Sequence, residues 1–225
     1  MIFERLKLIT KEEGLVKLKN STVLVLGLGG VGGHACEALA RSGVGTLVIV
    51  DKDVVDETNI NRQLVALQST IGLAKTEVMK ERILDINPEC TVITYHKFYN
   101  RDSKEEILSH SFDFICDCID TITFKIDIIK ESILRKIPII SSMGAGNKIY
   151  PERFEIEYLH KTMYDPIAKV IRTKLRRERI EAKIPVVYSK EVPIKTDSTV
   201  IGSTAFNPSV AGLLIAGYVV RNILG

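Results

Sequence analysis

Short apolar runs alternate with amphipathic stretches over the first 142 residues of the chain. The amphipathic stretches at 72–86 and 122–136 have the apolar spacing of helices that pack on one face. Between such stretches, five runs rich in apolar and β-branched residues have the length of buried strands. These runs are 22–26, 46–50, 91–95, 112–116 and 137–142. Strands that alternate with helices predict a parallel sheet with right-handed crossovers.

The pattern changes after residue 142. Residues 154–159 and 185–189 alternate apolar and polar side chains, which is typical of antiparallel strands with one solvated face. A basic stretch of helical character separates them, and the apolar segment 207–224 has the small residues of a closely packed helix. We therefore predict an α/β fold, with a mainly parallel sheet in residues 1–142. The C-terminal part, 143–225, would add antiparallel strands, a basic helix and a closing helix.

Composition excludes several classes of protein. Hydrophobic residues make up 45% and charged residues 26% of the 225 residues, which excludes disordered and collagen-like chains. The longest apolar run, 210–220, has 11 residues, well short of the roughly 20 that cross a bilayer. The N-terminus lacks the apolar core of a secretory signal. The four cysteines form no C-x-x-C pair, which disfavours a disulfide framework or a structural zinc site. We expect a cytoplasmic protein with no membrane association.

Charge is distributed unevenly along the chain. The segment 160–183 holds eight basic and three acidic residues, a local net charge of +5, whereas the remainder sums to −2. Such a segment on a nearly neutral body favours a local anionic partner. A solvated helix face is the alternative.

A glycine-rich turn follows the first predicted strand. Gly27, Gly29 and Gly32 satisfy G-x-G-x-x-G between a strand and a helix, where glycines let the backbone approach phosphates. Asp51 ends the second strand, where a carboxylate can accept hydrogen bonds from ribose hydroxyls. These features predict a Rossmann-like, doubly wound nucleotide site. On their own they favour an NAD-dependent enzyme, with a tight turn that binds nothing as the alternative.

The segment after the second strand is richer in polar side chains than a dinucleotide requires. Arg62 and Lys75 would suit a triphosphate, whose developing charge needs fixed cations. Singly, each could be an ordinary surface or helix-face residue. The polar residues of this segment that we consider for nucleotide binding are Asp51, Asp53, Asn59, Asn61, Arg62 and Gln63.

Two acids follow the fourth strand, at the edge of the sheet where open α/β folds bind ligands. Asp117 or Asp120 could hold Mg²⁺, because one carboxylate together with ATP oxygens suffices. Capping of the helix that begins near Ile122 is the alternative, above all for Asp117.

Several motifs resemble the E1-like, ThiF-type adenylating superfamily that activates ubiquitin-like proteins. They are GLGGVGG at 27–33, DKDVVDETNINRQ at 51–63, GLAKTEVM at 72–79 and DCIDT at 117–121. Later motifs are similar to the tRNA threonylcarbamoyladenosine dehydratase branch. They are SSMGAGNKIYP at 141–151, DPIAKVIRTKLRRE at 165–178, VVYSKEVP at 186–193 and IGSTAFNPSVAGLLIAG at 201–217. The resemblance implies one E1-like adenylation domain over residues 1–225.

The resemblance also implies an activity. It is the ATP-dependent adenylation of the threonyl carboxylate of threonylcarbamoyladenosine at tRNA position 37, followed by cyclisation with net loss of water. An acyl-adenylate expels AMP, so the neighbouring carbamoyl group can attack within the same molecule at high effective concentration. No enzyme nucleophile is required, and no cysteine follows Cys118.

Roles for individual residues follow from the same resemblance. The nucleotide turn would consist of Gly27, Gly29, Gly30 and Gly32. Nucleotide contacts would come from Asp51 at the ribose, Asp53 beside it, and Asn59, Gln63, Arg62 and Lys75 around the phosphates. Asp120 would bind Mg²⁺. Arg5 would reach the ATP site of the partner in a homodimer, although a flexible terminal residue is the alternative. The catalytic set would be Arg5, Arg62, Lys75 and Asp120.

The basic segment would bind tRNA through backbone phosphates. Ile167, Ile171 and Leu175 form a possible buried stripe on this predicted helix. The candidate tRNA-binding residues are Lys169, Arg172, Lys174, Arg176, Arg177 and Arg179. A sulfur-relay protein partner and a monovalent cation near 144–148 are left open. His34 is interpreted as a helix-surface residue.

Three other functions are compatible with the motifs. The first is adenylation of the C-terminal glycine of a sulfur-carrier protein, which the missing C-x-x-C pairs and the basic segment disfavour. The second is an NAD-dependent oxidoreductase. The third is a nucleotide-sensing module without turnover.

Overall fold

The computed structural model describes residues 2–225 and contains seven strands and seven α-helices within that range. The strands are β1 (Thr22–Leu26), β2 (Thr46–Val50), β3 (Thr91–Tyr95), β4 (Phe114–Asp117), β5 (Ile139–Ser142), β6 (Phe154–Tyr158) and β7 (Pro185–Ser189). The helices are α1 (Glu4–Lys19), α2 (Gly32–Arg41), α3 (Lys75–Ile86), α4 (Lys104–Ile107), α5 (Ile122–Arg135), α6 (Pro166–Arg177) and α7 (Phe206–Leu224).

All seven strands form one sheet with the order β3-β2-β1-β4-β5-β7-β6. The pairs β1–β2, β2–β3, β1–β4 and β4–β5 are parallel, which confirms the predicted α/β fold. The predicted antiparallel pairing is confirmed between β6 and β7, but β7 also pairs in parallel with β5. The C-terminal part therefore extends the parallel sheet.

The strands β1, β2, β4 and β5 are buried on both faces, which explains their continuous apolar sequences. Successive side chains of β1 point to opposite faces. Val23 and Val25 pack in a core with α2 and α7, whereas Leu24 and Leu26 pack in a second core with α5 and α6. Each face of the sheet thus requires its own helical layer.

Two predictions of local structure need correction. Helix α1 was not predicted, and its residues Leu8 and Ile9 are largely exposed. His34 lies between α2 and α7, not on an open surface, because its Nδ1 is 2.8 Å from Gly30 O and its Nε2 is 3.1 Å from Ser209 Oγ. Within residues 2–225, no helix has both the length and the hydropathy that a membrane span requires.

The contact between α2 and α7 depends on a glycine. A Cβ atom at Gly212 would lie 2.3 Å from Val31 O and 2.9 Å from His34 Cβ. The backbones of the two helices can therefore approach only because this side chain is absent.

We expect Gly212→Ala to lower the free energy of unfolding by about 1–3 kcal/mol, because the helices must move apart. The matched control is Gly217→Ala on the same helix, where the added Cβ would meet only the flexible end of Arg221 at 3.3 Å. That variant should gain up to about 1 kcal/mol from helix propensity. Urea unfolding, monitored by circular dichroism, measures the free energy of unfolding of both variants. Equal stability of the two variants would contradict the packing argument.

Candidate functional site

A cleft of about 820 Å³ opens at the carboxyl ends of the parallel strands. The chain leaves β1 towards β2 and β3 on one side of the sheet, and β4 and β5 lie on the other side. Ligands of open α/β folds bind at such a switch point. A second depression of about 590 Å³ lies at the opposite edge, near Ser21 and Asp113. None of the described residues lining that depression belongs to the predicted site.

The cleft brings together most of the predicted nucleotide-binding residues. Those that line it are Gly27, Gly29, Gly30, Asp51, Asp53, Asn59, Arg62, Gln63, Lys75 and Asp120. The predicted residues that do not line it are Gly32, Arg5 and the basic residues of the 169–179 segment. Of these, only Gly32 was expected in this cleft, because Arg5 was assigned to the cleft of a partner and the basic residues to tRNA.

The glycine turn is shaped by close backbone contacts. Gly27 has φ +88°, and a Cβ there would lie 2.8 Å from Cys118 O. A Cβ at Gly32 would lie 1.8 Å from Gly27 O, so Gly32 is a packing residue beneath the turn. At Gly29 a Cβ would meet nothing within 4 Å. The turn therefore leaves open space at the start of α2, where free N–H groups and the helix dipole favour anions.

Asp51 connects the end of β2 to this turn. Its Oδ2 accepts a hydrogen bond from Leu28 N at 2.6 Å, and its Oδ1 accepts one from Asp53 N at 2.8 Å. Each carboxylate oxygen can accept a second hydrogen bond. Asp51 can therefore receive hydroxyl donors at a fixed position beside the turn.

Lys75 lies in the wall of the cleft and is almost fully buried. Its Nζ is 3.3 Å from Asp53 Oδ2, and Lys52 Nζ is 2.9 Å from Asp53 Oδ1. Burial alone would raise the pKa of Asp53, but the two ammonium groups outweigh it and hold that pKa below its ordinary value. Because its partner Asp53 is half-exposed, the buried Lys75 can also pair with an anion in the cleft.

Arg62 presents hydrogen-bond donors to the cleft, and Gln63 presents a hydrogen-bond acceptor. Arg62 Nη1 donates to Thr58 O and Asn61 Oδ1, both at 2.9 Å, so its guanidinium keeps other donors available. Gln63 Oε1 is buried and has no hydrogen-bond partner among residues 2–225. Buried acceptors rarely stay unpaired in native proteins, so this oxygen favours a ligand that donates. Asn59 is buried nearby, and its Oδ1 accepts from Asp56 N at 3.2 Å.

The two acids of the β4–α5 loop have different environments. Asp117 is fully buried, with Lys125 Nζ at 3.0 Å and Ser141 Oγ at 2.5 Å. It therefore neither caps α5 nor faces a metal, and both roles considered for it are wrong. Asp120 is exposed in the cleft, where its only hydrogen bond within the described chain comes from Thr121 Oγ1 at 3.2 Å. Its carboxylate oxygens are available to a ligand.

Cys118 lies under the glycine turn, beside Gly27 and Gly32. Burial raises the pKa of its thiol to about 12. Because the thiolate is the nucleophilic form, this residue is a poor nucleophile at neutral pH.

The far end of the cleft contains residues that lie in the family motifs but had no individual role in the sequence-based predictions. Gly144, Lys148 and Asp165 line it, and Lys148 Nζ is 2.5 Å from Gly144 O and 3.3 Å from Asp165 Oδ2. Lys148 and Asp165 are 17 residues apart in the chain. The fold alone brings them together, and no motif spacing could have indicated the pair.

The basic segment is only partly helical, because α6 ends at Arg177 and Arg179 follows with φ +56°. Its predicted apolar stripe is confirmed: Ile171 and Leu175 are buried, and Ile167 is half-buried. Arg172 has a structural contact that was not expected, since its Nη1 donates to Thr162 O at 2.9 Å and Thr162 Oγ1 at 2.6 Å. The candidate tRNA-binding residues that are exposed are Lys169, Lys174, Arg176, Arg177 and Arg179.

The model of the ThiF family matches residues 4–225. The chain belongs to the ThiF family.

Relatives of this ThiF-family chain include enzymes of one branch. The chain is 51% identical over 239 residues to the tRNA threonylcarbamoyladenosine dehydratase of Bacillus subtilis. This alignment covers 99% of the chain and 94% of the relative. The crystal structure of E. coli tRNA N6-threonylcarbamoyladenosine dehydratase, TcdA, in complex with ATP matches with a TM-score of 0.93 and 31% identity, covering 99% and 93% of the two chains. The AMP complex of the same enzyme matches with a TM-score of 0.92 and 32% identity, covering 97% and 92%. The resemblance inferred from the sequence is confirmed.

Two glycines of the turn should respond differently to alanine. Gly29→Ala should leave the fold intact, since its Cβ meets nothing, and should weaken ATP binding at least about tenfold by filling space that the backbone leaves to phosphates. Gly32→Ala should lower the free energy of unfolding by about 3 kcal/mol through overpacking. Urea unfolding and calorimetric ATP titration separate the effects. Parental ATP affinity in Gly29→Ala would show that the open space is not a phosphate site.

Proposed function

We propose that this ThiF-family protein is an ATP-dependent tRNA threonylcarbamoyladenosine dehydratase that acts as a single adenylation domain over residues 1–225. The observation that carries the proposal is the 51% identity to the B. subtilis dehydratase over nearly the whole length of both chains. The cleft supports it, because its glycine turn, buried cation and free carboxylate are the groups that adenylation requires.

ATP would occupy the end of the cleft formed by the glycine turn and the loops after β2 and β4. The open space at Gly29 accommodates phosphates, and Asp51 accepts hydrogen bonds from the ribose. Lys75 and Arg62 supply cations beside the phosphates, and Asn59, Gln63 and Asp53 shape the surrounding wall. Fixed cations of this kind stabilise charge that develops as the α-phosphorus is attacked.

Mg²⁺ fits the same end of the cleft. Asp120 presents an exposed carboxylate with one hydrogen bond from its neighbour, and Mg²⁺ in nucleotide sites typically takes one or two carboxylates with phosphate oxygens and water. When bound, the ion would neutralise charge on the phosphates.

The reaction consumes one ATP for each cyclisation. A threonyl carboxylate oxygen attacks the α-phosphorus, and the bond to pyrophosphate breaks. The carbamoyl group then attacks the acyl carbon, AMP leaves with the carboxylate oxygen, and the attacking group loses its proton. The protein binds and orients the two substrates and forms no bond to them, which agrees with the raised pKa of Cys118.

The substrate would be tRNA carrying threonylcarbamoyladenosine, with its phosphates on the exposed basic residues of α6 and the segment after it.

We also propose a homodimer in which Arg5 contributes to the partner's cleft. Arg5 is exposed on α1 and does not line the cleft of its own chain. Leu8 and Ile9, 85% and 83% exposed on the same helix, supply apolar surface for such an interface. A cytoplasmic location, a sulfur-relay partner and a monovalent cation near 144–148 stay predictions.

The defining test is mass analysis of nucleosides from threonylcarbamoyladenosine-containing tRNA after incubation with the protein, ATP and Mg²⁺. We expect ATP-dependent loss of one water. Asp120→Ala should reduce this turnover at least about 100-fold while leaving the urea midpoint unchanged, because charge stabilisation is lost and not packing. Asp102→Ala, an exposed acid outside the cleft, is the control. Near-normal turnover in Asp120→Ala would contradict the assigned role.

The tRNA surface has its own test. Arg176→Glu combined with Arg177→Glu should weaken tRNA binding at least about tenfold at physiological salt and reduce its salt dependence, because phosphate contacts release counterions. ATP affinity should not change. Arg101→Glu combined with Lys136→Glu makes the same change in net charge at exposed positions outside α6. Equal tRNA affinity of the two double variants, measured by fluorescence anisotropy, would mean that α6 is only a solvated helix.

A further inference from the structure

The far end of the cleft contains a buried ion pair that the adenylation chemistry does not use. The side chains of Lys148 and Asp165 are 1% and 0% exposed, and their charged atoms are 3.3 Å apart. Lys148 lies in the segment 143–148 that follows β5, here called the cleft loop. Asp165 directly precedes α6.

Asp165 uses its two carboxylate oxygens on two different elements. Oδ1 accepts a hydrogen bond from Ala168 N at 2.9 Å and so caps α6. Oδ2 accepts one from Gly144 N at 3.1 Å and pairs with Lys148. Lys148 Nζ in turn donates to Gly144 O at 2.5 Å. Both backbone polar groups of Gly144 are therefore held by this ion pair.

The cleft loop is also anchored at its other end. Glu191, which is buried, accepts hydrogen bonds from Ile149 N at 3.0 Å and Tyr150 N at 3.0 Å. Between the two anchors, Asn147 N donates to Gly202 O at 2.8 Å. The loop thus has a defined position between β5 and the N-terminus of α6.

A buried ion pair is a poor device for stability alone. Desolvation of two charges offsets most of their attraction, and apolar pairs of similar volume often stabilise a protein as well. However, charged side chains form strong hydrogen bonds of defined geometry with backbone groups. The Lys148–Asp165 pair forms such hydrogen bonds with Gly144 in the cleft and with Ala168 in the first turn of α6.

We propose that Asp165 and Lys148 are positioning residues that keep the cleft loop and α6 at one fixed separation. The inference rests on the proposed function and deepens it. The modified nucleoside must be held through its tRNA on α6 while its carboxylate reaches ATP in the cleft. A displacement of about 1 Å between reacting groups costs about 100-fold in rate. The pair therefore acts on turnover of bound substrates and not on the binding of either one.

Asp165→Asn tests the proposal with a minimal change. Asparagine still caps a helix through its Oδ1, but its amide cannot accept from Gly144 N or balance the Lys148 charge. We expect ATP and tRNA dissociation constants within about twofold of the parent values and a kcat about 100-fold lower. The control is Glu155→Gln with Lys190→Met, which removes a half-exposed ion pair of 2.7 Å outside the cleft. That variant should keep the parent kcat.

The double variant Asp165→Asn with Lys148→Met separates positioning from stability. It leaves no unpaired buried charge, so its urea midpoint should recover most of what the single variant loses. Its kcat should stay low, because Gly144 is no longer held. Recovery of kcat together with stability would overturn the positioning role, as would parental kcat in Asp165→Asn. A parent protein that removes no water from the tRNA nucleoside would overturn the proposed function as well.

Discussion

The organisation of the site depends on a single steric constraint, the absence of side chains where the glycine turn meets the backbone around it. The carbonyl oxygen of Gly27 occupies the position that a Cβ of Gly32 would need, and a Cβ at Gly27 would lie 2.8 Å from the carbonyl oxygen of Cys118. These contacts join the β1–α2 turn to the loop after β4. The open start of α2 and the carboxylate of Asp120 consequently face one cleft.

Around that cleft, three buried lysines pair with carboxylates. The ion pairs are Lys75–Asp53, Lys125–Asp117 and Lys148–Asp165, and they lie near the carboxyl ends of β2, β4 and β5. In each pair the lysine is at most 5% exposed, and each pair joins segments that are distant along the chain or on different elements. Most of the other ion pairs in residues 2–225 are considerably more exposed, where such contacts contribute about 0–1 kcal/mol. The buried lysines of these three pairs favour a polar site with fixed geometry.

Much of the fold could be predicted because its strands are continuous apolar runs between glycine and proline residues. The strands at 22–26, 46–50 and 91–95 have the expected boundaries. The helix α1 was missed because its exposed apolar residues give it almost no amphipathic pattern to detect. Parallel pairing of β7 with β5 was also missed, since alternation in a strand predicts one solvated face and does not identify its neighbours.

The sequence by itself determined the glycine turn, the alternation of strands and helices, and the motifs that indicate the family. These are local properties, because turn chemistry and periodicity involve residues close together in the chain. Only the tertiary structure decided which acid faces the cleft and which is buried. The family resemblance favoured Asp120, but nothing in the spacing of Asp117 and Asp120 shows that Lys125 and Ser141 enclose the first and leave the second free. The joining of the cleft loop to the basic helix by Lys148 and Asp165 was decided in the same way, because burial and ion pairing depend on contacts that only folding creates.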